Sequence, residues 1–226
     1  HLYWAETHPM ERGRVTIVSK PPGAPAREAV PPDFNCRTRV HEYGGGAFLA
    51  HGLSLYCSSF TDQRLYRIDP NKTPMPITPE PAVKAGLRYA DGRLTPDGRL
   101  LICVREDHTR GGEPVNELVA VYGEGTQEPT VLAGGHDFYA APRLSPNGRR
   151  LAWLSWDHPH MPWEGSELWV ADFSSDGRLS GARRVAGGKK VSIFQPEWSP
   201  DGLLHLVSDE TGWWNLYRLE PGLARP

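Results

Sequence analysis

The sequence predicts an all-β chain of four-stranded antiparallel sheets repeated about every fifty residues. Three observations predict it. A turn motif recurs as Leu94-Thr95-Pro96-Asp97-Gly98, Leu144-Ser145-Pro146-Asn147-Gly148 and Trp198-Ser199-Pro200-Asp201-Gly202, with its prolines 50 and then 54 positions apart. An apolar stretch follows each turn, and another follows the next loop. Glycine and proline, 24 and 22 residues, interrupt every stretch long enough for a helix.

Each turn joins two antiparallel strands. Proline presets φ, and Asp-Gly or Asn-Gly accepts the positive φ of a tight hairpin. In chain order, Leu2 to Glu6 reads as a second strand without its first, and Arg14 to Ser19 as a third. A copy without the Pro-Asp-Gly turn follows: Gly45 to Ala50, a turn at His51-Gly52, Leu53 to Ser58, and Arg64 to Asp69. The later second strands are Leu100 to Arg105, Leu151 to Trp156 and Leu203 to Ser208. The later third strands are Asn116 to Tyr122, Ser166 to Asp172 and Trp214 to Glu220, in which Leu118, Leu168 and Leu216 recur 50 and 48 apart. Outer strands are expected at Pro76 to Thr78, Thr130 to Ala133 and Ala182 to Ala186.

Four short strands at this pitch are the signature of a β-propeller blade, whose faces are buried only by stacking on neighbours. Second strands apolar on both faces, such as Leu151-Ala152-Trp153-Leu154, fit a position between two sheets. The expected fold is a single partial propeller domain over 1–226: a β-propeller fragment of three full and two incomplete blades. The blade segments are about 1–36, 37–80, 81–134, 135–188 and 189–226. Such a fragment leaves open blade edges, which invite self-association.

Lys and Arg number 25 against 27 Asp and Glu, a net charge of −2, which argues against a nucleic-acid partner. No apolar run reaches the length of a membrane span, and no signal peptide is visible, so a cytoplasmic chain is expected. Cys36, Cys57 and Cys103 are odd in number and form no CxxC pair, so neither a disulfide framework nor a zinc site is expected. No metal and no cofactor is assigned.

Three strings are more specific than the turns: Arg37-Thr38-Arg39-Val40-His41-Glu42-Tyr43-Gly44-Gly45-Gly46, Asp157-His158-Pro159-His160-Met161-Pro162-Trp163 and Gly212-Trp213-Trp214-Asn215-Leu216-Tyr217. In these the chain resembles the propeller of the prolyl oligopeptidase family of serine peptidases, on the acylaminoacyl-peptidase and dipeptidyl-aminopeptidase-like branch. The resemblance implies a propeller that covers an α/β-hydrolase domain and admits short peptide or acyl-peptide substrates. It implies that domain as the partner and a peptide as the substrate. No Gly-x-Ser-x-Gly elbow occurs, so this chain alone is expected to be inactive. A stand-alone TolB-like binding scaffold is the alternative. A propeller enzyme with a central polar site would need carboxylates or histidines converging from first strands, which offer only Asp91, Asp137 and Glu197.

Candidate substrate or domain-interface residues follow from the same strings. Arg37, Arg39, His41, Glu42 and Tyr43 precede three glycines that permit close backbone approach; packing alone would instead give an intrachain Arg–Glu pair and a packed tyrosine, with the glycines serving blade packing. Glu106 and Asp107 belong to a charged segment expected to be a solvated loop, or else a surface that attracts a peptide amino group. His158 and Trp163 lie in a proline-rich loop; His158 and His160 lack a third metal ligand, and Met161 and Trp163 are expected to pack the loop. Trp213 and Trp214 enter a third strand, where alternation would bury one and expose the other. Loops between second and third strands share one end with the blade connections, so most candidates should lie at that end.

Overall fold

The computed structural model describes residues 1–125 and 127–219. It contains five antiparallel sheets: three of four strands and two of three. The first holds β1 (Leu2–His8), β2 (Arg14–Lys20) and β3 (Arg27–Glu28). The second holds β4 (Phe48–His51), β5 (Ser54–Ser58), β6 (Leu65–Ile68) and β7 (Met75–Pro76). The third holds β8 (Leu87–Leu94), β9 (Leu100–Asp107), β10 (Val115–Tyr122) and β11 (Thr130–Ala133). The fourth holds β12 (Phe138–Leu144), β13 (Arg150–Trp156), β14 (Ser166–Phe173) and β15 (Leu179–Gly188). The fifth holds β16 (Ile193–Trp198), β17 (Leu204–Ser208) and β18 (Asn215–Leu219). Strands follow one another in sequence order across every sheet, the arrangement of a propeller blade.

Differences from the sequence expectation have local causes. The second sheet's first strand starts at Phe48 rather than Gly45, because Gly44, Gly45 and Gly46 all have positive φ, which an extended strand excludes. The last strand starts at Asn215, and Glu220 lies outside the described residues. Strand β9 runs two residues past Arg105, so Glu106 and Asp107 are strand residues. Both are buried, which corrects the expectation of a solvated loop there.

The chain divides into two compact units. The first comprises His1–Gly92, Arg105–Pro114 and Tyr122–Glu128; the second comprises Arg93–Val104, Val115–Val121 and the chain from Pro129 onward. In the first, Ile17, Val30, Cys36, Leu55, Cys57 and Ile68 form the core between the first two sheets. In the second, Leu154, Leu168 and Val170 of the fourth sheet pack with Ile193, Leu204 and Leu206 of the fifth. Burying a leucine-sized side chain contributes about 1.5–3 kcal/mol, so these clusters hold the sheets face to face. Every residue of β9 is buried and β13 is buried from Leu151 on, as strands covered on both faces must be. In β17 burial alternates, as on a strand covered on one face.

Three of the first strands, β8, β12 and β16, share a feature that their residue types do not announce. Asp91, Ala141 and Gln195 all adopt positive φ (54°, 51° and 47°), and the ladders of β12 and β16 slip at that point. A bulge of this kind twists a strand and re-aims the side chains beyond it.

Candidate functional site

Residues 37–46 of the first unit form a tight turn that a buried glutamine holds. Gln63 is fully buried; its Oε1 accepts the Arg39 N–H at 2.7 Å, and its amide donates to the Phe60 carbonyl at 3.2 Å. Within the turn, the Glu42 N–H donates to the Arg39 carbonyl and the Gly44 N–H to the Val40 carbonyl. His41 and Glu42 have φ of 55° and 64°, which costs about 1–3 kcal/mol at each non-glycine residue. Such strain persists only where neighbours hold it, and one of them is Glu106. Its Oε1 accepts the His41 N–H at 3.0 Å. Gly46 is pressed against Asp91: a Cβ there would lie 2.9 Å from the Asp91 backbone.

Glu106 is the centre of the group. Its side chain is 4% exposed, and a buried carboxylate must be compensated. Besides the His41 N–H it receives Arg88 Nη1 at 3.2 Å and stands 2.8 Å from His108 Nε2. The same Arg88 nitrogen donates to Glu42 Oε1 at 2.6 Å and to the Arg39 carbonyl at 3.1 Å. Arg88 therefore links a buried carboxylate to an open one, for the Glu42 side chain is 78% exposed. The Arg88 hydrogen bond holds the Glu42 carboxyl below its ordinary value, so it is ionised at neutral pH. Burial lowers the pKa of His41 against the pull of Glu106 and Asp91, which keeps that ring neutral.

Ligand atoms of Glu42, Glu106 and His108 lie within 4.8 Å of one another, close enough for a metal ion. Arg88 already bonds both carboxylates, so a cation bound there would have to displace it. The group reads chemically as an arginine-braced pair of carboxylates.

The structure brings Arg37, Arg39, His41, Glu42, Tyr43 and Glu106 into this one unit. The pairing that packing would predict for the 37–43 segment is corrected in part. Arg37 and Arg39 stack on Phe60 and Glu42 pairs with Arg88 instead, while Tyr43 is 70% exposed with its ring against that of His41 at 5.8 Å. Asp107 turns away from the group. It accepts the Thr109 N–H and hydroxyl at 2.8 and 2.6 Å and pairs with Arg110. Burial raises its pKa, but the Thr109 bonds together with the Arg110 and Arg105 charges outweigh that and leave it lowered.

The other candidates lie in the second unit. There the connection before β12 and the loop after β13 are tied reciprocally. His136 Nδ1 stands 2.8 Å from Asp157 Oδ2, and Asp157 Oδ1 accepts the Asp137 N–H at 2.8 Å. Asp137 Oδ2 accepts the His158 N–H at 2.9 Å and stands 3.0 Å from its Nδ1. These ties, not Met161 and Trp163, hold the loop, since both of those side chains are exposed. Trp213 is 81% exposed and Trp214 is exposed as well, which corrects the expectation that one is buried. They precede β18, so strand alternation does not govern them.

Sequence reasoning missed Arg88 and Gln63. The repeat held a signal for Arg88: it stands 50 positions before Phe138, as Glu106 stands 50 before Trp156. Phe138 and Trp156 are cross-strand partners stacked at 5.3 Å.

Comparison with protein-family profiles and with curated sequences gives no match. Solved structures do match. The chain is 41% identical to a puromycin-hydrolysing peptidase of Mycobacterium tuberculosis, with a TM-score of 0.89 over 99% of this chain and 36% of that one. It is 38% identical to a puromycin hydrolase, with a TM-score of 0.90 and the same coverage. A prolyl endopeptidase shares the fold at 13% identity and a TM-score of 0.67, over 94% of this chain and 32% of that one. The chain thus spans about a third of the length of the structures it matches.

Proposed function

The chain belongs, as a propeller, to the prolyl oligopeptidase family of serine peptidases, and from that premise we propose that it gates and positions short peptide or acyl-peptide substrates for an α/β-hydrolase domain. The nucleophile belongs to that domain. One observation carries the positioning role. The Arg88–Glu106 pair stands where the next sheet has a simple aromatic stack, and it braces an exposed, ionised Glu42. An ammonium group meeting Glu42 gains a charge-assisted hydrogen bond to a carboxylate that Arg88 already holds in place. Glu106 acts through Arg88 and the His41 N–H, as a positioning residue. The segments at this end of the sheets limit the size of what enters. Among the described residues no helix is long and apolar enough to cross a membrane, and the reading places the peptidase in the cytoplasm.

The experiment uses the full-length peptidase, assayed with a dipeptide substrate bearing a free amino group and with its N-acetyl form. Glu42→Gln raises KM for the free amine about tenfold and leaves kcat and the acetylated substrate unchanged. Equal effects on both substrates, or none on either, would remove Glu42 from amine recognition.

A further inference from the structure

A cavity of about 650 Å³ opens in the first unit, lined by Arg37, Arg39, Tyr43, Phe48, Phe60 and the three-glycine run. Its charge distribution is unusual. The Arg37 and Arg39 guanidinium groups each lie 4.5 Å from the centroid of the Phe60 ring. The ring face attracts both cations, and the two charges cannot be farther apart than twice that distance. Among the described residues neither arginine has a carboxylate within ion-pair distance. The one carboxylate in the lining, Glu42, is bonded to Arg88. Two like charges held on one ring repel each other; Arg39 feels the Glu42 carboxylate only at a distance, and that carboxylate is bonded to Arg88. An anion in the cavity that both arginines line offsets the repulsion and gains guanidinium donors. Val15, Phe48 and Phe60 supply an apolar wall for the body that carries the anion.

We propose that this cavity binds the carboxylate of a peptide ligand, held by Arg37 and Arg39 with an apolar side chain against Phe60. The identity of the ligand rests on the peptide-positioning reading above; the charge argument does not. The carboxylate comes from the peptide C-terminus or from an acidic side chain, and the choice of probes separates them.

The test is a binding titration of the full-length peptidase, its nucleophilic serine replaced by alanine, with three probes: acetyl-glycyl-phenylalanine, its C-terminal amide, and acetyl-glutamyl-phenylalanine amide. The expected result is that one or both of the carboxylate-bearing probes binds about tenfold more tightly than the neutral amide. That preference shrinks with added salt and disappears in Arg37→Gln/Arg39→Gln. The probe that shows the preference identifies the source of the carboxylate. Both arginines are exposed, so the double variant should melt with the parent, and the salt dependence of the parent reads the same property without any substitution. Equal affinities for all three probes overturn the anion site while leaving peptide binding in place. A carboxylate preference that survives in the double variant also overturns it. Binding of none of them overturns this proposal together with peptide positioning by this chain.

Discussion

The ends of the third and fourth sheets solve one structural problem with different chemistry. In the fourth, Phe138 of β12 faces Trp156 of β13 in a parallel stack. Fifty positions earlier the same two places hold Arg88 and Glu106. The aromatic pair carries no charge to desolvate, and the His158 ring packs beside it, 5.0 Å from Phe138. The charged pair must be desolvated, and it is kept only with further partners: the His41 N–H, the Arg39 carbonyl, Glu42 and His108. A repeat that can fill this place with two rings does not need a buried ion pair for folding, and buried pairs are weak sources of stability. The difference separates what the blade requires from what this particular sheet end has been given to do.

Substitutions at the two sheet ends test the contrast. The largest effect is expected at the aromatic end. Trp156→Ala should lower unfolding free energy by about 3–5 kcal/mol, read from urea melts of the chain. A loss below about 1 kcal/mol would mean that the stack is ornamental and would weaken the contrast. The second exchanges the two solutions. Glu106→Ala alone should cost about 1–3 kcal/mol, because it leaves the His41 N–H without its acceptor and removes one of the Arg88 partners. Arg88→Phe with Glu106→Trp should recover most of that stability and still lose the free-amine preference of the full-length enzyme. If the double variant stays as unstable as the single one, the charged pair is structural after all.

The smallest effect is a pH dependence at Asp157. Burial raises its pKa, but the Asp137 N–H and His136 outweigh burial and leave the folded value below the ordinary 3.8. A depressed folded pKa means that its contribution is complete above the unfolded value and is lost as pH falls through the folded one. The side chain is half exposed, so Asp157→Asn should cost no more than about 1 kcal/mol at neutral pH. That difference from the parent should stay constant down to roughly pH 5 and close below the ordinary carboxylate range. A difference that persists at the lowest pH would show that the lost Asp137 bond is one of shape and not of charge.

Much of the blade was legible in residue order. Pro96-Asp97-Gly98 and its two copies placed the hairpins, because a turn's conformation depends on the few residues inside it. Strands such as Leu151–Trp156 were legible because burial on both faces demands an uninterrupted apolar run. The bulges at Asp91, Ala141 and Gln195 were not, since three unrelated residue types take the same positive φ. The site was legible in part. His41, Glu42 and Glu106 stood out by type, whereas Arg88 looked like any strand arginine, and Gln63 showed no sign of being the buried anchor of the turn.

The all-β class, the pitch of the repeat and the five sheets are written in the residue order, because turns and strand patterning act over a few residues. That Glu106 is a buried hub, that Arg37 and Arg39 share one ring, and that Arg88 joins the two carboxylates follows from folding alone. The bond from His41 to Glu106 spans 65 positions. Closing a contact of that span depends on how whole sheets are placed, which no local pattern of residues encodes.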